Sequence, residues 1–155
     1  MLQFDQPDLM PRLAENKKAH YDYQILEKFE AGLELLGHEV KSVRDEKMSL
    51  TGSFVTLNRG SAWLMNAQIP PYPKAGPLPG YDARRTRKLL LHKRELLRLM
   101  GKMEQKGLTL VPLSAYTKGS RIKLEFGLAR GKKQYEKKEA IKRREVDREI
   151  RRSLK

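Results

Sequence analysis

From Tyr21 to Leu35 the odd positions are apolar except Glu27 (Tyr21, Tyr23, Ile25, Phe29, Ala31, Leu33, Leu35), while most even ones are polar. A period of two predicts one long strand with one face on a core and the other in water. Gly32 near its end suggests a bend or bulge, as a sheet needs to curl towards closure. Val40 and Val43 in GHEVKSVRDEK, three apart, fit a short helix. Residues 53 to 69 then read as a hairpin, SFVTL and SAWLMNAQI, joined at Asn58-Arg59-Gly60. PPYPKAGPLPGYD, residues 70 to 82, carries five of the eight prolines and predicts a loop. RKLLLH is a further strand. In KRELLRLMGKMEQKG, Leu96, Leu99, Met100 and Met103 fall on one helical face and Gly107 supplies a stop. LTLVPLSAY and RIKLEFGL, the latter alternating through Ile122, Leu124, Phe126 and Leu128, flank the turn Thr117-Lys118-Gly119-Ser120 as a final hairpin.

Some six short strands, an interrupting helix and Gly-containing turns predict a mainly β, OB-like antiparallel barrel with a few helices and a basic C-terminal tail, an architecture that often offers an open face to nucleic acid. The chain has 155 residues, enough for one domain with an extension. Charge places the boundary. Residues 131–155 hold eleven basic and five acidic residues and few large apolar ones, whereas residues 1–130 hold the core-forming set. Residues 1–130 are therefore expected to form the barrel domain and 131–155 the tail.

Overall, 33 Lys and Arg against 19 Asp and Glu give a formal charge of +14, a self-repulsion that a polyanion would relieve. The longest pure-aliphatic run is Leu89-Leu90-Leu91, far short of the ~18 residues of a membrane span. The opening MLQFDQPDLM has carboxylates where a secretory signal has cations, so a cytoplasmic location is expected, with no membrane partner. No cysteine is present, and His20, His38 and His92 are scattered, which gives no metal-ligand spacing and no thiolate chemistry; no cofactor is expected. Phosphate loops of the Walker or dinucleotide type are also missing, and Gly76-Pro77-Leu78-Pro79-Gly80 has too much proline to present successive amides. A nuclease built on His20 and Asp22 is a formal alternative, but on an alternating strand both would sit on a solvated face. No enzyme is expected.

The basic residues cluster: Asn16-Lys17-Lys18 before the first strand, Arg84-Arg85-Thr86-Arg87-Lys88 before the Leu triplet, and Lys132-Lys133 after the last strand. Three cationic groups entering or leaving one small sheet point to phosphates, and Tyr21, Tyr81 and Tyr135 lie near them as stacking candidates.

ENKKAHYDY, FEAGLELLGHEVKSVR, RRTRKLLLHKREL and GLARGKKQYEKKE, in this order and spacing, resemble the SsrA-binding protein (SmpB) family over roughly residues 15 to 148. The resemblance implies a non-enzymatic factor that binds the tRNA-like part of transfer-messenger RNA and delivers it to stalled ribosomes for trans-translation. The implied partners are that RNA, the ribosomal decoding centre and mRNA channel, and, in the same complex, elongation factor Tu with the alanyl-charged RNA. The resemblance implies RNA contacts at Asn16, Lys17, Lys18, Glu30, Leu90, Lys132 and Lys133; the basic clusters add Arg84, Arg85 and Arg87 to the expected RNA-binding set, with Tyr21 as its stacking candidate. Tyr21 and Tyr135 stand where the family often has His, which keeps a π face and loses a titratable ring. A generic OB-fold single-stranded RNA binder or a ribosomal protein is the alternative.

The same resemblance implies that the tail enters the empty mRNA channel as a helix, with Tyr135, Lys137, Lys138, Lys142, Arg143, Arg144, Asp147 and Arg148 as its ribosome-binding residues. Val146, Ile150 and Leu154 recur every four residues, a thin stripe, and Glu139 with Arg143 and Asp147 with Arg151 make i,i+4 pairs of a few tenths of a kcal/mol each. Ordering a residue's backbone costs roughly 1–2 kcal/mol. The tail is therefore expected to be disordered when free and to fold against RNA.

Overall fold

The computed structural model describes residues 12–132 and 134–153; for residues 134–137, 139 and 140 it describes the backbone alone. In chain order the elements are β1 (Arg12–Glu15), α1 (Lys17–Asp22), β2 (Tyr23–Leu33), α2 (Gly37–Arg44), β3 (Phe54–Asn58), β4 (Ser61–Met65), β5 (Arg87–Leu90), α3 (Lys93–Lys102), β6 (Leu108–Lys118), β7 (Arg121–Gly131) and α4 (Gln134–Ser153). All strand pairs are antiparallel. Going round, β6 pairs with β3, β3 with β4, β4 with β5, β5 with β2, β2 with β7, and β7 with β6 again, so six strands form a closed ring. The seventh, β1, adds to β6 from outside.

The mainly β class and the closure expected from the sequence are thus present, with seven strands among the described residues where some six were expected. The β3–β4 hairpin turns at Arg59 (φ 52°) and Gly60 (φ 70°). Both central residues take positive φ, the geometry that matches the twist of the flanking strands. Inside the ring, Phe29 stacks on Phe126 at 5.6 Å between centroids, among Ala31, Val55, Leu64, Leu89, Leu110 and Leu124. α3 closes part of the ring with Leu99, which is fully buried, and with Leu96 and Met103, while Met100 on the expected face is 41 % exposed. Arg98 and Lys102 of α3 both bond Glu27 of β2, and those bonds hold its carboxyl below the usual range.

One boundary differs from the sequence reading. Residues 17–22 are helix, not the start of the long strand, so His20, Tyr21 and Asp22 do not lie on a strand face. The cause is tertiary. Ala19 packs into a second apolar cluster with Val111, Leu113 and Ala129, against which Tyr23 and Ile25 lean. Asn16 fixes the helix entrance, its amide donating to the Leu113 carbonyl (2.8 Å) and its side chain to the Pro112 carbonyl (2.9 Å). A register shift between Ile25 and Glu27 then lets β2 serve both clusters: Ile25 faces the outer one and Phe29 the ring interior.

α4 carries Ile141, Val146 and Ile150 at 40–51 % exposure. Its apolar stripe has almost nothing to pack on, and its attachment to the body is made at the root and along α1. No helix among the described residues is long and apolar enough to cross a membrane.

Candidate nucleic-acid interface

The outer face of β2, β7 and β6, edged by α1, gathers most of the sequence-derived candidates. Glu30 of β2 sits opposite Glu125 of β7, and Ser114 of β6 opposite the same Glu125. Two carboxylates facing each other across a ladder repel. Around them stand Lys28, Lys118 and Lys123, and Lys118 reaches Glu30 Oε1 at 3.4 Å. The buried Tyr116 hydroxyl donates to Glu30 Oε2. Burial first, then that bond and the two nearby carboxylates, push the Tyr116 phenol far up, so it remains a donor at any working pH. Glu30 is therefore a carboxylate fixed in direction, with spare lone pairs facing outwards. It can accept from base amino groups or a ribose hydroxyl while the lysines meet phosphates.

Leu90 of β5 lies opposite Gly32 of β2, two residues from Glu30, and is 51 % exposed. A Cβ on Gly32 would lie 3.3 Å from the Leu90 Cβ, so the missing side chain lets Leu90 cross the seam. The two border an open cavity of about 580 Å³ with Leu91, His92, Arg121 and Lys123 on its walls, apolar at the floor and cationic at the lip.

α1 joins this face to the tail. Lys17 and Lys18 are exposed on it, and Lys132 is tied to it twice, its amide donating to the Asp22 carbonyl (2.9 Å) and its Nζ to the His20 carbonyl (2.8 Å). The Tyr21 ring carries the Arg144 guanidinium of α4 at 6.0 Å from its centroid. Burial and then the charge of Lys28 lower the His20 pKa, with Lys132 and Arg12 adding to them and Glu125 pulling the other way. Asn16 is spent on holding the backbone and offers a ligand little beyond position.

The 84–88 cluster does not converge as a unit. Arg87 was expected on the RNA surface, yet it is fully buried and each of its three guanidinium nitrogens is engaged: Nη2 and Nε donate to Glu39 Oε2 at 2.6 and 3.0 Å, Nη1 to the Ala67 carbonyl at 2.7 Å, and Nη2 also to the Ala83 carbonyl at 3.0 Å. It is corrected to a structural residue. Arg85, 30 % exposed, donates to both Glu39 oxygens, from Nη2 to Oε1 and from Nε to Oε2 at 3.1 Å, and Tyr81 donates to Glu39 Oε2 at 2.9 Å. Burial alone would raise the Glu39 pKa, but bonds from Arg85, the Leu36 amide and Arg87 outweigh it and bring the group down to about 2. Tyr81 is pushed up to about 12 by its burial and by Glu39. This network pins the Pro-rich loop to α2, so Tyr81 is no free stacking ring. Arg84 is exposed; its amide donates to Asp82 Oδ1 at 2.9 Å, and its guanidinium reaches Asn66 Oδ1 at 3.4 Å.

Lys138, Lys142, Arg143, Arg144, Asp147 and Arg148 are exposed on α4. Lys133 and the side chains of Tyr135 and Lys137 lie outside the described residues. Sequence reasoning missed Tyr116, Lys118 and Lys123. The available signal was the clean alternation of β7, which puts Lys123 and Glu125 in phase on the outer face.

A closed antiparallel ring with a cationic outer face and a fixed acceptor at its centre defines a β scaffold for a polyanion, working through a surface rather than a cleft. The SmpB protein family profile matches residues 13–155. An SsrA-binding protein of Sulfurihydrogenibium sp. is 53 % identical over 92 % of this chain and 93 % of its own length. One from Thermosynechococcus vestitus is 49 % identical over 96 % and 97 %, and one from Corynebacterium diphtheriae 51 % over 93 % and 88 %. Among solved structures, a chain described as "tmRNA-SmpB: a journey to the center of the bacterial ribosome" is 54 % identical, with a TM-score of 0.65 over 82 % of this chain and 92 % of that one. The chain belongs to the SmpB family.

Proposed function

We propose that this chain binds the tRNA-like part of transfer-messenger RNA and delivers it to stalled ribosomes for trans-translation, acting by binding and without catalysis. The observation that carries the reading is the match over nearly its whole length to a family whose solved member is described together with tmRNA and the bacterial ribosome. The geometry supplies a mechanism. Lys17, Lys18, Lys28, Lys118, Lys123 and Lys132 meet backbone phosphates, Glu30 and Leu90 contact sugars and base edges between them, and the outer curve of the ring holds the folded RNA arm.

The tail then serves as a probe of the vacant mRNA channel. Its cations face the channel's RNA walls, Tyr135 stacks at the decoding centre, and the order of the helix is sustained by those walls rather than by its own exposed stripe. Elongation factor Tu and the alanyl-charged RNA complete the delivered complex in the cytoplasm.

Gel-shift competition at stated salt between tmRNA, ordinary tRNA and unstructured RNA tests the reading. Preference for the tRNA-like RNA is expected. Equal affinity for all three would leave only a generic RNA binder.

A further inference from the structure

Residues 47 to 81 contain no Asp or Glu, in a stretch that includes the whole β3–β4 hairpin. On the outer face of this hairpin and β5, Phe54 lies opposite Met65, Thr56 opposite Trp63, and Trp63 opposite Lys88. Trp63 is the only tryptophan of the chain. Its indole N–H donates to the Asn58 carbonyl at 3.0 Å, next to the turn that carries Arg59. That bond uses the ring's one polar group and fixes its direction, so what remains for a partner is π surface. Beside it is an open depression of about 270 Å³ lined by Thr56, Asn58, Arg59, Trp63, Met65 and Thr86. Phe54 is 47 % exposed, and Arg59 and Lys88 are both exposed. This face lies on β4, three strands round the ring from β7, and shares no residue with the Glu30 face.

We propose that the Trp63 face is a second RNA-contact surface that takes unpaired nucleotides, one base stacking on the indole while its neighbouring phosphates meet Arg59 and Lys88. The charge pattern decides the occupant. A protein partner would find an aromatic centre flanked by the cations Arg59 and Lys88 without a carboxylate among the strand residues, whereas a single strand of RNA supplies both a π face and the opposite charge. The surface is open at the side of the ring, so a strand can lie across it without threading.

The lone tryptophan reports on its own site. The full chain is titrated with oligoadenylate of about 8 nucleotides, within the usual site size of a single-strand platform, and Trp63 emission is followed with tyrosine unexcited. Saturable quenching is expected. With a labelled oligonucleotide followed by anisotropy, Trp63→Leu should weaken binding about 5- to 150-fold and Trp63→Phe much less. Arg59→Gln with Lys88→Gln should reduce the salt slope by about 1.4, two phosphates' worth for a single strand. Glu30→Ala should leave the quenching as it is, which separates this surface from the tmRNA face. Absence of quenching, or quenching and affinity indifferent to all these changes, would overturn the proposal. A response confined to RNA-free ribosomal protein would also overturn it, in favour of a protein partner. Circular dichroism melts of each variant identify any that fail to fold.

Discussion

Arg87 and Glu39 meet inside the protein, Nη2 to Oε2 at 2.6 Å, with both side chains fully screened from water. Removing one member of such a pair leaves the other as an uncompensated buried charge, a loss of about 3–5 kcal/mol. Arg87→Met and Glu39→Ala should therefore lower the urea midpoint sharply, far more than Arg84→Ala, whose side chain is exposed. A variant of Arg87 with unchanged stability and weakened RNA binding would return it to the surface role.

The same pair sets an acid limit. The Glu39 pKa is depressed from 4.5 to about 2, so its contribution is complete above pH ~4.5 and is lost as pH falls towards 2. Urea midpoints measured between pH 5 and 2.5 should decline for the native chain and be flatter in the Glu39→Gln variant.

Glu30 takes its direction from Tyr116 and Lys118. Glu30→Ala should cost about 10-fold in affinity for the tRNA-like RNA, in line with loss of one or two charge-assisted bonds. Tyr116→Phe should show a smaller loss of the same kind, since the carboxylate remains but is no longer aimed. Unchanged affinity in Glu30→Ala, measured by gel shift at fixed salt, would make this carboxylate ordinary surface.

Burial and three nearby cations, Lys28 foremost, oppose protonation of His20 and lower its pKa, with Glu125 pulling the other way. Its ring resonances in an NMR titration should move with a midpoint below 6.5. The linkage sign follows: the unfolded chain takes up this proton first, so the group withdraws stability as pH falls below about 6.5. RNA affinity between pH 7 and 8 should not change through this residue.

For the tail, deletion of residues 134–155 should leave most RNA affinity and abolish peptide tagging on stalled ribosomes, since Lys132 and the ring remain. A peptide of residues 131–155 should be mostly unfolded in plain buffer by far-ultraviolet circular dichroism. Strong helicity there would contradict folding coupled to the channel.

The sheet was legible because its signal is local: Phe29, Ala31 and Leu33, or Ile122 to Leu128, alternate whatever the rest of the chain does. α1 was not, because six residues complete fewer than two helical turns and Tyr21 and Tyr23 happen to continue the strand's odd-numbered phase. Its helix depends on Ala19 finding Val111 and Leu113, almost a hundred residues away. β1, four residues long, has too few positions to show a period. Arg87 was misread because charge was weighed before phase. It is two residues from Leu89 on one strand and shares its inward face, as Glu39 shares a helical face with Val43. Read together, those two phases place opposite charges on the interior side. Of the RNA face, Glu30 and Leu90 came from the family resemblance alone, since neither pattern nor charge distinguishes them from ordinary surface and core.

The two bonds from Lys132 to α1 also fix where the C-terminal arm begins. α4 starts two residues beyond that anchor and runs for 20 residues, about 30 Å at 1.5 Å per residue. For the probe role proposed above, the anchored root and the helix length together set the reach, so every residue added or removed between Lys132 and Gln134 would displace the tip and turn its cations to a different bearing.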